Sequence, residues 1–179
     1  HRLSRHPGRD VEASVAASST AGEVNLDYLV FETKPWAVWL QYGNTGTRNE
    51  QYRRWRAGFT TTQLTDNDDI FSIQYVTSNF RDTNAVIGSY EAPLTSDGRL
   101  RWGVNGSWSQ YFADQFGAVL PDAFTGFSWS AGGDLRWNMH QDGPLFVDLV
   151  GGTRMQRLGV SNKVLLVRQE VSSQASFVV

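Results

Sequence analysis

Trp36-Ala-Val-Trp-Leu-Gln-Tyr-Gly-Asn-Thr-Gly-Thr-Arg48, followed by Tyr52-Arg-Arg-Trp-Arg-Ala-Gly-Phe59, decides the fold, because a period of two begins here and governs the next hundred residues. Trp36, Val38, Leu40 and Tyr42 fall on one face of a strand and Ala37, Trp39, Gln41 and Gly43 on the other. In the next strand Trp55, Ala57 and Phe59 oppose Arg54, Arg56, Gly58 and Thr60. Successive strand residues point to opposite sides of a sheet, so one face is apolar and aromatic and the other polar and small. A soluble sandwich with its apolar face inward and a membrane barrel with its apolar face outward share this pattern.

The alternation continues outward from this stretch. Seven strands are expected at about 36–43, 51–63, 70–78, 84–94, 99–111, 125–138 and 145–155, with an eighth near 163–170, and no helical period intervenes. Thr65-Asp-Asn-Asp-Asp, Thr95-Ser-Asp-Gly and Met139-His-Gln-Asp-Gly-Pro read as tight turns; the connections near 44–50 and 112–124 are longer. Short turns on one side and long loops on the other is the outer-membrane arrangement. Six of the seven tryptophans fall on the apolar face, Trp36, Trp102 and Trp137 toward one end of the strands and Trp55, Trp108 and Trp129 toward the other. Indole is favoured at a membrane interface because its ring is apolar and its N–H needs a polar partner. Two aromatic belts therefore favour the barrel, with outer-membrane lipid against them. Arg54, Arg56, Glu91, Arg101, Asp134 and Arg136 fall on the polar face, where they are expected to line a wet lumen.

Composition agrees. Charged residues are 19% of the 179, aromatics 13%, and the formal charge is −2, which gives no case for nucleic acid. No apolar run approaches the roughly 18 residues of a membrane helix, and no cysteine is available for disulfide or thiolate chemistry. His1, His6 and His140 show no metal spacing, Asp66-Asn-Asp-Asp lacks the glycine and distal glutamate of a calcium loop, and no Gly-x-Ser-x-Gly elbow occurs. No metal, cofactor or catalytic residue is expected, and the chain does not read as an enzyme. Gly43, Asn44 and Gly46 read as a turn with positive φ rather than a phosphate cradle, since no helix follows.

Residues 1–35 read as a separate hairpin-like unit, with alternation in Gly8–Val15 and Val24–Glu32 about turn material at Ser18–Glu23 and a punctuating Lys34-Pro35. Two strands do not stand alone in water, so this unit is expected to be the end of a larger domain and the chain a cut piece.

The run Arg5-His-Pro-Gly-Arg-Asp-Val-Glu-Ala, then Ala21-Gly-Glu-Val-Asn-Leu-Asp-Tyr-Leu-Val, Lys34-Pro-Trp and Tyr42-Gly-Asn-Thr-Gly-Thr, with Ala92-Pro-Leu, Asp97-Gly and Trp108-Ser-Gln-Tyr later, resembles two-partner-secretion transporters. These are the haemolysin-activator and filamentous-haemagglutinin exporters, and the likeness falls at the junction of the last polypeptide-transport-associated (POTRA) domain and the first barrel strands. The resemblance implies an all-β fold: a partial antiparallel transmembrane β-barrel of seven or eight strands in 36–179, preceded by the terminal hairpin of a periplasmic POTRA domain in 1–35. It implies a bacterial outer-membrane protein that carries an unfolded, secreted partner protein across the membrane through about sixteen strands, an even number as such barrels require. The Val-Arg-Gly-Phe/Tyr motif of the family's inward-folded loop is absent, which a chain ending halfway round the barrel explains. The C-terminal Val171–Val179 shows weak alternation and reads as an altered or truncated terminus. An outer-membrane assembly insertase of the same superfamily and a soluble ligand-binding β-sandwich or small barrel are the alternatives.

Overall fold

The computed structural model describes residues 6–18, 23–45, 52–81, 83–114, 123–142, 144–162 and 168–178. Ten strands follow one another: β1 (Arg9–Ala17), β2 (Val24–Glu32), β3 (Trp36–Gly43), β4 (Arg54–Thr61), β5 (Ile70–Thr77), β6 (Asn84–Pro93), β7 (Leu100–Asp114), β8 (Ala123–Asp142), β9 (Leu145–Asn162) and β10 (Arg168–Val178). No helix occurs among the described residues. β1 and β2 form a two-stranded hairpin, and β3 to β10 form one sheet in chain order. Every neighbouring pair is antiparallel.

The sheet is a single layer that does not close. Among the described residues β3 and β10 each pair with one neighbour and not with each other, and no second sheet covers either face. Ala92 is the buried apolar residue of the described chain, whereas Trp36, Val38, Leu40, Tyr42, Val104, Trp108, Leu135 and Trp137 are exposed. A soluble domain of this size buries many large side chains. Among the described residues nothing packs on the apolar face, unlike the inward face of a two-layer sandwich.

Strand lengths differ from the sequence reading at the far end. β7 runs to Asp114 and β8 begins at Ala123, so both ends of the connection expected at 112–124 are ladder; residues 115–122 lie outside the described residues. β8 also absorbs Met139–Asp142 through a bulge between Asn138 and His140. β10 lies at 168–178, later than expected, and takes up the terminus read as altered; its register on β9 shifts between Val171 and Gln174. Backbone pairing needs no alternation of side chains, so a ladder continues where the period of two fades. Gly43 is extended and pairs with Arg54, so it does not take positive φ, and neither does Asn44; Gly46 lies outside the described residues. The left-handed positions sit in other turns: Asp66 (φ 57°) and Asp68 (φ 53°) between β4 and β5, Phe80 (φ 61°) between β5 and β6, and Gly98 (φ 66°) between β6 and β7.

Candidate functional site: the polar wall and its rim

Directly opposed residues of antiparallel strands point to the same side, so the register assigns each side chain to a face. Trp36 opposes Thr61, Trp55 opposes Tyr42 and Thr77, Trp102 opposes Ala92 and Leu135, Trp108 opposes Trp129, and Trp137 opposes Leu100 and Leu149. All six share the apolar face. Trp108 and Trp129 stand inside their strands: β7 continues six residues beyond Trp108, and β8 begins six before Trp129.

Aromatic clusters form at two levels on this face. At the far end Tyr42 and Trp55 lie 4.6 Å apart between centroids, and Phe80 approaches Trp55 at 6.3 Å and Tyr75 at 6.5 Å. The left-handed turn at Phe80 costs energy for a residue with a Cβ. It is fixed by the buried Thr77, whose Oγ1 accepts from the Phe80 N–H at 2.8 Å and donates to the Thr83 carbonyl at 2.9 Å. Tyr75 donates its hydroxyl to Asn84 Oδ1 at 2.6 Å. At the end nearer the β1–β2 hairpin, Tyr90 meets Trp102 edge-on at 5.5 Å, and Lys34 Nζ stands 3.6 Å over the Trp36 ring. An open groove lined by Leu100, Leu135, Trp137 and Leu149 also lies at this end of the apolar face, with Arg99 at its edge.

The other face carries Arg54, Arg56, Glu91, Arg101, Asp134 and Arg136, all in register on one side. Glu91, Arg101 and Arg136 come together. Arg101 Nε donates to Glu91 Oε1 at 2.5 Å, and Arg136 Nη1 stands 3.8 Å from Glu91 Oε2. Asp134 leans over Gly103, so that a Cβ added there would meet its Oδ1 at 3.0 Å. Arg54 and Arg56 stand apart, at the far end of β4 opposite Gly43 and Gln41. Hydroxyl pairs complete the wall: Ser72 with Ser89 and Ser107 with Ser130, each at 2.8 Å, with Arg154 Nη2 donating to Ser130 Oγ at 3.3 Å. Cross-strand pairs of this kind stabilise a sheet and need no catalysis to explain them.

Several contacts of importance escape the sequence pattern. Trp39 is the tryptophan of the polar face, and its ring lies flat on Gly58 of the neighbouring strand: a Cβ at Gly58 would stand 2.5 Å from Trp39 Nε1. Tyr111 covers Gly126 on the same face, and Phe127 covers Gly159 on the other. Arg9 and Asp68 escape it too, because they meet across 59 residues of chain: Arg9 Nη1 and Nη2 donate to the two carboxylate oxygens of Asp68 at 3.1 and 2.8 Å. Arg9 also holds Glu32 Oε1 through Nε at 3.1 Å. The hydrogen bond to Asp68 outweighs the cost of burial and raises the Arg9 pKa, so this guanidinium stays charged. The carbonyl of Asp68 accepts from Arg101 Nη2 at 2.9 Å. The next residue, Asp69, is fully buried, and both its carboxylate oxygens accept from the Thr65 N–H at 3.2 Å. Burial pushes its pKa up, but hydrogen bonds from the Thr65 N–H, the Tyr90 and Thr65 hydroxyls and its own backbone N–H together more than offset this and leave it lowered. No group of metal-ligating residues occurs among the described residues.

The fold has known counterparts. The family model described as "Haemolysin secretion/activation protein ShlB/FhaC/HecB" matches residues 22–157, more than half of the chain. Among solved structures, CdiB from Escherichia coli superposes with a TM-score of 0.77 at 13% identity, covering 98% of this chain and 33% of that one. CdiB from Acinetobacter baumannii gives 0.64 at 15% identity, covering 98% and 34%. The chain thus spans about a third of the length of these structures, and the likeness to them is one of fold. Among curated proteins none matches in sequence.

Proposed function

Because this chain belongs to the haemolysin secretion/activation protein family, we propose that it is part of an outer-membrane transporter that carries an unfolded partner protein out of the periplasm. In this reading β3–β10 are about half of the barrel wall, and β1–β2 with the rest of 1–35 close a periplasmic POTRA domain. The apolar face meets outer-membrane lipid, with Trp36, Trp102 and Trp137 at the periplasmic interface and Trp55 toward the outer one, while Trp108 and Trp129, six residues inside their strand ends, lie deeper than the outer belt expected of them. The polar face meets a water-filled lumen.

The observation that carries the reading is the single-layer antiparallel sheet with an uncovered apolar face. In hydrocarbon every backbone polar group must be paired internally, which a closed antiparallel barrel achieves and an open sheet does not. The free edges of β3 and β10 are therefore where further strands of the complete protein join. Arg54, Arg56, Arg101 and Arg136, with Glu91 and Asp134 beside the last two, line the passage and hold an extended, partly acidic polypeptide weakly. The stretch from Val24 to Phe31 offers β2 for strand addition by the same substrate. Transport of this kind uses no cofactor and no catalytic residue.

The test is the complete protein in planar bilayers, with Arg54→Glu and Arg56→Glu introduced together. Altered single-channel conductance and reduced export of the partner are expected. Unchanged conductance together with unchanged export removes these arginines from the passage.

A further inference from the structure

The turn between β4 and β5 faces two ways. Its carboxylate at Asp68 grips Arg9 of the hairpin through both oxygens, and its backbone carbonyl at the same residue grips Arg101 of the polar wall. The left-handed φ of 53° at Asp68 turns these two groups apart, and the buried Asp69 fixes the turn beside them through the Thr65 N–H. A continuous row of polar contacts results: Glu32, Arg9, Asp68, Arg101, Glu91 and Arg136. It starts on the hairpin and ends on the wall.

We propose that Asp68 is a positioning residue that clasps the β1–β2 hairpin to the barrel rim, so that seating or release of the hairpin sets the arrangement of the Glu91–Arg101–Arg136 cluster. The proposal rests on the transporter reading, in which that cluster faces the lumen. The chemistry suits a reversible latch. Bidentate arginine–carboxylate geometry gives a defined orientation, yet Asp68 is nearly half exposed, and pairs of that exposure contribute little net stability. A polypeptide that binds the hairpin better when it is released shifts the equilibrium by its difference in affinity for the two states. When the clasp opens, the β4–β5 turn loses its outer anchor. Arg101, which shares its donors between the Asp68 carbonyl and Glu91, then loses the first acceptor and re-sorts with Arg136 on Glu91. The state of the hairpin is thereby felt inside the passage.

The experiment uses the complete transporter in lipid nanodiscs. Spin labels go on Ser14→Cys, in the exposed part of β1, and on Ser96→Cys, in the exposed β6–β7 turn; the 179 residues contain no cysteine to compete. The unmodified clasp is expected to give one narrow distance peak. Arg9→Asp, the milder Arg9→Gln and Asp68→Arg should each lose that peak and shift single-channel conductance, although Arg101, Glu91 and Arg136 are untouched. The exchange Arg9→Asp with Asp68→Arg should restore both. A narrow peak retained in all three single variants, or no restoration in the exchange, overturns the clasp. A peak that broadens and recovers while conductance never moves overturns the coupling to the wall. A parent protein that opens no channel refutes the transporter reading instead, and the distance measurement still decides whether the clasp exists.

Discussion

Gly58→Ala is a substitution that local propensity would call favourable, since alanine is better than glycine in a strand by about 0.5–1 kcal/mol. The contact with Trp39 reverses that expectation. The new Cβ would stand 2.5 Å from Trp39 Nε1 and closer still to the ring carbons, so the indole must swing off the wall. Trp39 is 38% exposed where it lies. A tryptophan buries about 150–250 Å² when covered; losing roughly 100 Å² of that to water, at about 25 cal/mol per Å², costs about 2.5 kcal/mol. Overpacking of cores, about 1–3 kcal/mol, gives the same scale. After the strand propensity gain, Gly58→Ala should cost about 1.5–2 kcal/mol. The assay is urea unfolding of the complete barrel refolded in lipid vesicles, followed by loss of its heat-modifiable mobility on gels, for the four members of a cycle with Trp39→Ala. In the Trp39→Ala background the clash is gone, and Gly58→Ala should be neutral or stabilising. An equal cost in both backgrounds would refute the stacked pair as the reason for glycine at this position.

Two further outcomes are expected. The folded-state pKa of Asp69 is lowered, so its stabilisation is present above the ordinary carboxylate value of about 4 and is lost as pH falls through the lower folded value. Asp69→Asn should therefore lower the unfolding midpoint at neutral pH and flatten its fall in acid, and a variant that keeps the parent's acid slope would assign that slope to other carboxylates. In vesicles of lipids brominated on their acyl chains, a protein whose single tryptophan is Trp108 or Trp129 should be quenched strongly. One retaining Trp39 alone should respond to aqueous acrylamide instead; the reverse result would invert the two faces.

Much of the wall was legible because the signal is local. Trp36, Trp55 and Trp102 differ from Arg54, Arg56 and Arg101 by a one-residue offset, and a strand converts that offset into opposite faces wherever the ladder holds. The turn residues were legible for the same reason: Asp66-Asn-Asp-Asp and Asp97-Gly supply side chains that favour tight turns, and the left-handed φ at Asp66, Asp68 and Gly98 follows. Where the alternation lapses, as in the far parts of β7 and β8, pattern reading stops although backbone pairing continues out to the pair of Asp114 with Ala123.

The sequence by itself determined the all-β class, the order of the strands, and which side chains share a face. Tertiary structure decided the rest: that the sheet stays a single open layer, that Trp39 lies on Gly58, that Glu91 gathers Arg101 and Arg136, and that Arg9 reaches Asp68. The physical reason is range. Face is set by the two-residue pleat of one strand, whereas each of these contacts depends on the register of neighbouring strands or on where a turn aims its groups, and neither is written in the residues on either side.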